Sequence, residues 1–334
     1  PASPAAAAMR VTRHRAPRAR WPAGAEMAGL ALIGRLFAGA RRFATLPGGL
    51  APGTRVAARA RLPATPPNLA RPVRRAVVTG ASGQVASLLL PWMRRTGLAL
   101  DCVDRRGGPG VPSDGPVRRV ELRDAAAAVR TLRGADAVLH LAAASSETRV
   151  EDLAGDNAVA LANVLQAAVR EGVGRIVFAS TMHVVGLYGR DEPLDEGSPV
   201  RPDSHYAASK LHGEALCRLY AEKHGLSVTC LRLGHVAATL EEAEPGAWIS
   251  PQDVAQLVEI AFRRDSPGFE LFHAVADYAG SPLAPSRATA FGYRCRRPAE
   301  THAQAMARVA RTWRDDPVAR QKRGATFASG PLPS

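Results

Sequence analysis

The stretch that most constrains this chain is Arg75-Ala-Val-Val-Thr79-Gly80-Ala-Ser-Gly83-Gln-Val-Ala86. It reads as a short apolar strand, a glycine turn and the opening of a helix predicted over 84–95. Gly80 permits the tight turn, Gly83 lets backbone approach a bound group, and Ala86 stands where a third, packing glycine is replaceable by alanine. The free amides at the start of such a helix form an anion site suited to a pyrophosphate. An apolar strand feeding a helix in this way needs cover on both faces, which predicts a parallel sheet between helices.

The rest of the chain repeats that unit. Apolar runs at 98–103, 117–122, 137–144, 175–179, 228–234 and 269–275 are predicted strands. Helices are predicted from an Asp124 cap, over 156–170, from Ser250 through Arg263, and over 299–314. Strands alternating with helices at this spacing predict an α/β fold with a Rossmann-type doubly wound parallel sheet and a small C-terminal substrate-binding portion. The expected organisation is a basic, disordered leader (1–73), one domain (74–314) and a loose tail (315–334). Within the domain the cofactor part is mainly 74–180 and the substrate part mainly 234–300.

Charge separates the leader from the body. The net charge is +14, but residues 1–75 hold fourteen arginines and one acid, Glu26, leaving 30 basic against 29 acidic residues beyond them. A nearly neutral body lacks the basic surface that nucleic-acid binding needs. The leader's apolar stretch, 27–40, is broken by Arg35 and too short to span a bilayer, so no stable membrane insertion is expected. Its Pro, Ala and Arg content resembles a transit or membrane-surface segment. The reading preferred over that one is sequence upstream of the native start, with Met9 and Met27 as candidate initiators. Cys102, Cys217, Cys230 and Cys295 show no metal-type spacing and point to a reducing, cytoplasmic setting.

The candidate site residues fall at strand ends, where ligands of such sheets bind. Ser82, Gln84 and Val85 join Gly80 and Gly83 at the first turn. Asp104 ends the second strand where an acid holds adenosine ribose hydroxyls and repels a 2′-phosphate, which favours NAD, although Arg105 and Arg106 would accept that phosphate. Glu121 and Leu122 are expected near the adenine. Leu141, Ala142 and Ala143 leave room for a cofactor to lie across the strand end, with Ser145 beyond them. Thr181, with Ser180 in reserve, supplies a hydroxyl for the reacting oxygen, and His183 is a candidate substrate contact. Asn157 either faces the site or caps its helix.

Tyr206 and Lys210 stand one helical turn apart on one face. A lysine charge near a phenol favours the phenolate, so the pair predicts a proton-transfer device in which Lys210 lowers the Tyr206 pKa.

In this order and at these intervals, the Gly-x-x-Gly turn, Asp104, His140-Leu-Ala-Ala, Ser180-Thr181 and Tyr206-x-x-x-Lys210 resemble the extended short-chain dehydrogenase/reductase (NAD-dependent epimerase/dehydratase) family. The runs Phe178-Ala-Ser-Thr-Met-His-Val-Val-Gly186, Arg201-Pro-Asp-Ser-His-Tyr and Trp248-Ile-Ser-Pro-Gln-Asp253 are similar to bacterial uronate dehydrogenases. The resemblance implies NAD as cofactor, oxidation of a cyclic hexuronate to an aldaro-lactone, Tyr206 as base, Lys210 on the nicotinamide ribose, and Thr181 on the reacting hydroxyl. It also implies Ser145 and His183 on sugar hydroxyls.

Three departures mark an altered substrate site. Met182 replaces an asparagine, His235 replaces a serine, and no arginine precedes Trp248, where the acidic run Glu241-Glu-Ala-Glu244 stands instead. A uronate is therefore expected to bind poorly unless another cation, such as His235 or Arg287, takes its carboxylate. A small sugar or sugar acid is the expected partner, and a homo-oligomer stays open. The alternatives are a nucleotide-sugar epimerase or dehydratase, and a noncatalytic NAD-binding regulator.

Overall fold

Alternate residues of a strand leave on opposite sides of the sheet, so a wholly apolar strand must be covered twice. In the computed structural model, which describes residues 69–107, 116–144, 149–284, 286–296 and 300–331, β1 (Arg75–Thr79) is such a strand. Ala76 and Val78 enter one core and Val77 the other. The expected leader lies outside the described residues, apart from its last few.

The chain continues through α1 (Gln84–Met93), β2 (Ala99–Asp104), β3 (Arg118–Arg119), α2 (Ala125–Leu132) and β4 (Ala137–His140). A helical turn at Val150–Leu153 and a π-type turn at Ala154–Val159 lead into α3 (Ala160–Glu171). Next come β5 (Arg175–Thr181), α4 (His205–His224) and β6 (Ser227–Leu233). A separate two-stranded pair, β7 (His235–Val236) and β8 (Trp248–Ile249), precedes α5 (Pro251–Arg263) and β9 (Gly268–Ala274). The last helices are α6 (His302–Thr312), α7 (Pro317–Gln321) and α8 (Ala325–Ser329).

Seven strands form one sheet in the order β3-β2-β1-β4-β5-β6-β9, and every pairing is parallel. This is the doubly wound arrangement, with Leu89, Leu90 and Met93 of α1 and Val254, Leu257 and Val258 of α5 filling one face. Leu132 of α2, Leu161, Val164 and Leu165 of α3, and Cys217 of α4 fill the other. The winding reverses between β1 and β4, which opens a crevice at the carboxyl ends of those strands.

Two cap signals act as read: Asp124 accepts from the Ala126 amide and Ser250 from Asp253, and the structure adds a reciprocal capping box of Thr301 and Gln304. Three expectations are corrected. The third strand is only two residues long, because the chain turns at once to the Asp124 cap, with Asp124 N donating to Glu121 O. The long helix begins at Ala160, not 156, since 154–159 is the wider turn that carries buried Asn157 inward.

The third correction is the tail. Residues 315–331 carry α7 and α8 and dock against 186–190. Arg190 N donates to Gln321 O at 2.9 Å, Arg323 N to Tyr188 O at 3.0 Å, and Gly324 N to Gly186 O at 2.8 Å. Backbone pairing holds this segment, and an apolar periodicity does not reveal it.

Candidate active site

The first turn builds a cradle. Gly80 has φ +72°, and a Cβ there would sit 2.5 Å from the Ala142 amide nitrogen, so only glycine lets β1 turn this close to the end of β4. Gly83 precedes α1 with no side chain capping the helix, which leaves its first amides available to a ligand. A groove of about 630 Å³ runs from here, lined by Gly80, Gly83, Gln84, Val85, Asp104, Glu121, Leu122, Leu141, Ala142 and Ala143. Those residues fit an extended dinucleotide laid across the crevice.

Asp104 is held in place rather than free to swing. Its carboxylate accepts from the Ser82 amide at 3.2 Å and the Arg106 amide at 3.0 Å. Arg105 is paired with Asp156 at 2.6 Å, which occupies the cation nearest in sequence that would otherwise meet a 2′-phosphate. Ser82 does not line the groove; its hydroxyl donates to Gly107 O and ties the two loops together. Ser145 lies outside the described residues.

The groove shares Gln84, Val85, Leu141 and Ala143 with a second cavity of about 240 Å³. Ser180, Thr181, Met182, His183, Tyr206, Lys210, His235, Glu244, Arg323 and Phe327 line it. β5 delivers Thr181 to its carboxyl end, and α4, capped by Ser204 on the Ala207 amide, presents Tyr206 and Lys210 opposite. Tyr206 and Thr181 are hydrogen-bonded through their side chains.

The electrostatics of the pair differ from the expectation. Burial pushes Tyr206 up to about 12, only partly offset by the Thr181 hydrogen bond. Lys210 does not lower it here, because its Nζ donates to Ala179 O at 2.8 Å and stands 5.9 Å from the centre of the tyrosine ring. Burial pushes Lys210 itself down to about 8. The ammonium is anchored to β5, which orients it.

Ser180 and Thr181 divide their work. The Ser180 hydroxyl donates to Glu214 at 2.6 Å, and Glu214 is held by two 2.9 Å bonds from buried Arg232. That hydroxyl is committed to the core, which leaves Thr181 as the one beside Tyr206. His183 Nδ1 lies 2.8 Å from Asp203, while His235 Nδ1 accepts from the Glu244 amide at 3.2 Å. Asn157 neither caps a helix nor reaches the cavity. It holds Ala144 through both backbone groups and bonds Ser209, tying the end of β4 to α4.

Sequence reasoning missed Asp203, Phe327 and Arg323. Phe327 lies 4.3 Å from the His183 ring and 6.2 Å from Tyr206, closing the cavity from α8. Arg287, named as a replacement cation, is exposed, pairs with Glu270 and is not among the cavity residues. The only signals for the missed elements were the Asp316-Pro317 helix start and Gly324, both short.

Residues 76–257 match the model of the NAD dependent epimerase/dehydratase family. The chain belongs to that family. It is 30% identical to uronate dehydrogenase of Pseudomonas putida over 265 residues, covering 78% of this chain and 98% of that protein. It is 35% identical over 173 residues to L-arabinose 1-dehydrogenase (NAD(P)(+)) of Haloferax volcanii, covering 44% of this chain and 68% of that one. The crystal structure of a uronate dehydrogenase variant from Agrobacterium tumefaciens complexed with NAD superposes with TM-score 0.69 at 27% identity, covering 78% of this chain and 99% of that chain.

This family member is therefore an NAD-dependent oxidoreductase acting on a CH–OH group. Among the described residues no cluster of three or more His, Cys, Asp or Glu is placed to hold a metal ion, and no helix is long and apolar enough to cross a membrane.

Proposed function

We propose that the protein oxidises the anomeric carbon of a free cyclic sugar acid, giving a lactone. The observation that carries this reading is the size of the catalytic cavity. About 240 Å³, with Phe327 on one side and His235 and Glu244 on another, suits one sugar ring better than a nucleotide sugar. That weighs against an epimerase acting on nucleotide sugars.

In this reading the Thr181 hydroxyl holds the anomeric hydroxyl against Tyr206, whose oxygen takes the proton as the carbon becomes a carbonyl, after Tyr206 has first lost the phenolic proton that burial holds on it in the cofactor-free protein. Bound NAD would supply the hydride acceptor for that carbon. Lys210, anchored on β5, would hold the nicotinamide ribose, and Gly80, Gly83 and the first amides of α1 would hold the pyrophosphate. His183, fixed by Asp203, contacts a sugar hydroxyl. A neutral aldose is the second reading, favoured by Glu244 in the cavity wall.

The test is NADH formation with galacturonate, glucuronate, galactose, arabinose and UDP-galactose, with the product identified by NMR. A lactone from a free sugar acid is the expected result. Turnover of UDP-galactose alone would overturn the reading.

A further inference from the structure

We propose that Arg323, brought by the C-terminal segment, is the cation that grips the substrate's carboxylate in place of the arginine missing before Trp248. The inference rests on the sugar-acid reading above and names the group that gives it specificity. Of the described residues that line the catalytic cavity, Lys210 and Arg323 are the lysine and arginine, and the Lys210 ammonium, anchored to Ala179 O, is the group assigned above to the nicotinamide ribose. That leaves the guanidinium.

The Arg323 side chain is preorganised. Its Nη2 donates to the carbonyls of Arg190 at 2.8 Å and Glu192 at 2.9 Å, and its own amide is tied to Tyr188 O. The side chain meets two neutral carbonyls and the Tyr278 phenol, Asp191 and Glu192 act on it from farther away, and no carboxylate among the described residues is paired with the guanidinium within 4 Å. Its Nε has no hydrogen-bond partner among them either. A half-buried cation with no carboxylate in direct contact is suited to an anion, since a bidentate guanidinium–carboxylate pair is among the stronger contacts available.

The nearby carboxylates are engaged elsewhere. Asp191 meets His302 at 2.7 Å, and Glu192 accepts from the Gly189 amide at 2.6 Å. Glu244 lines the cavity and opposes an anion, but the charge of buried Arg190, which bonds the carbonyls of Pro245 and Ala319 and stacks over Trp313, acts on it. Arg190, behind the wall, thus offsets Glu244, and Arg323 is the guanidinium that lines the cavity.

The experiment compares kcat/KM for galacturonate and galactose in the wild type, Arg323→Gln and Arg323→Lys, with galactarate binding to the NAD-loaded proteins by calorimetry. The wild type should prefer galacturonate by about tenfold or more, and Arg323→Gln should cost on the order of ten- to a hundredfold on galacturonate and galactarate while changing galactose by less than about threefold. Arg323→Lys should recover part of the loss.

Equal losses on both sugars, no loss, or a wild type that favours galactose would overturn the assignment. If Arg323→Gln does not fold, the wild-type preference and the lysine variant decide. If the wild type oxidises no free sugar, the functional reading fails by itself, and galactarate binding still reports on Arg323.

Discussion

Lys210 Nζ donates to the Ala179 carbonyl at 2.8 Å, so the ammonium that the Tyr-x-x-x-Lys spacing would aim at the phenol is held on β5 instead. Burial then dominates Tyr206 and pushes it up to about 12. In the NAD-free protein, the absorbance difference between wild type and Tyr206→Phe should show no ionisation of this tyrosine below about pH 10, well inside the range where a free phenol titrates. Turnover by Tyr206→Phe should fall by on the order of a hundredfold or more, with NAD affinity nearly kept. Near-normal turnover would remove Tyr206 from the role of base.

Cofactor choice turns on Asp104, whose carboxylate is fixed by two backbone amides at the groove. Asp104→Ala removes the negative charge that repels a 2′-phosphate and leaves Arg106 beside it. The ratio of kcat/KM for NADP to that for NAD should rise by about tenfold or more. An unchanged ratio would mean that another group discriminates.

Gly324 tests whether the C-terminal segment belongs to the sugar site. A Cβ there would stand 1.9 Å from an Asp203 carboxylate oxygen, and Asp203 cannot yield without releasing His183 and Ser204. Gly324→Ala should therefore raise KM for the sugar by about tenfold, a cost on the order of one broken charge-assisted contact, and leave the Kd for NAD within a factor of about two. A parallel loss of NAD binding would place the damage elsewhere.

Acid should weaken the fold through His140. This imidazole is buried beside Thr79, and burial pushes it down to about 3. Between pH 6.5 and 3 the unfolded chain takes up a proton that the folded chain refuses, so the stability present above pH 6.5 is lost as pH falls toward 3. At pH 5 the loss from this group is about 2 kcal/mol. Buried His273, pushed down to about 4 by burial, adds to the same slope. Denaturant melts of wild type and His140→Gln across pH 5–8 check this; an equal slope in both would show that other groups carry it.

What could be read from the sequence alone was set by short-range geometry. The β1–turn–α1 unit, the Asp124 and Ser250 caps, and the one-turn spacing of Tyr206 and Lys210 depend on neighbours within a few residues, and the alternation of such units implies the doubly wound sheet. The tertiary structure decided the rest. Ser180 and Thr181 are adjacent hydroxyls in the sequence, and only the distant Glu214–Arg232 pair commits the first and leaves the second beside Tyr206. The proton affinity of Tyr206 follows from burial, a property of everything packed around it. Arg323 and Phe327 reach the cavity because backbone groups of 321–324 pair with 186–190, more than a hundred residues away. Main-chain hydrogen bonding of that kind is available to every residue type and so leaves no pattern of side chains to read.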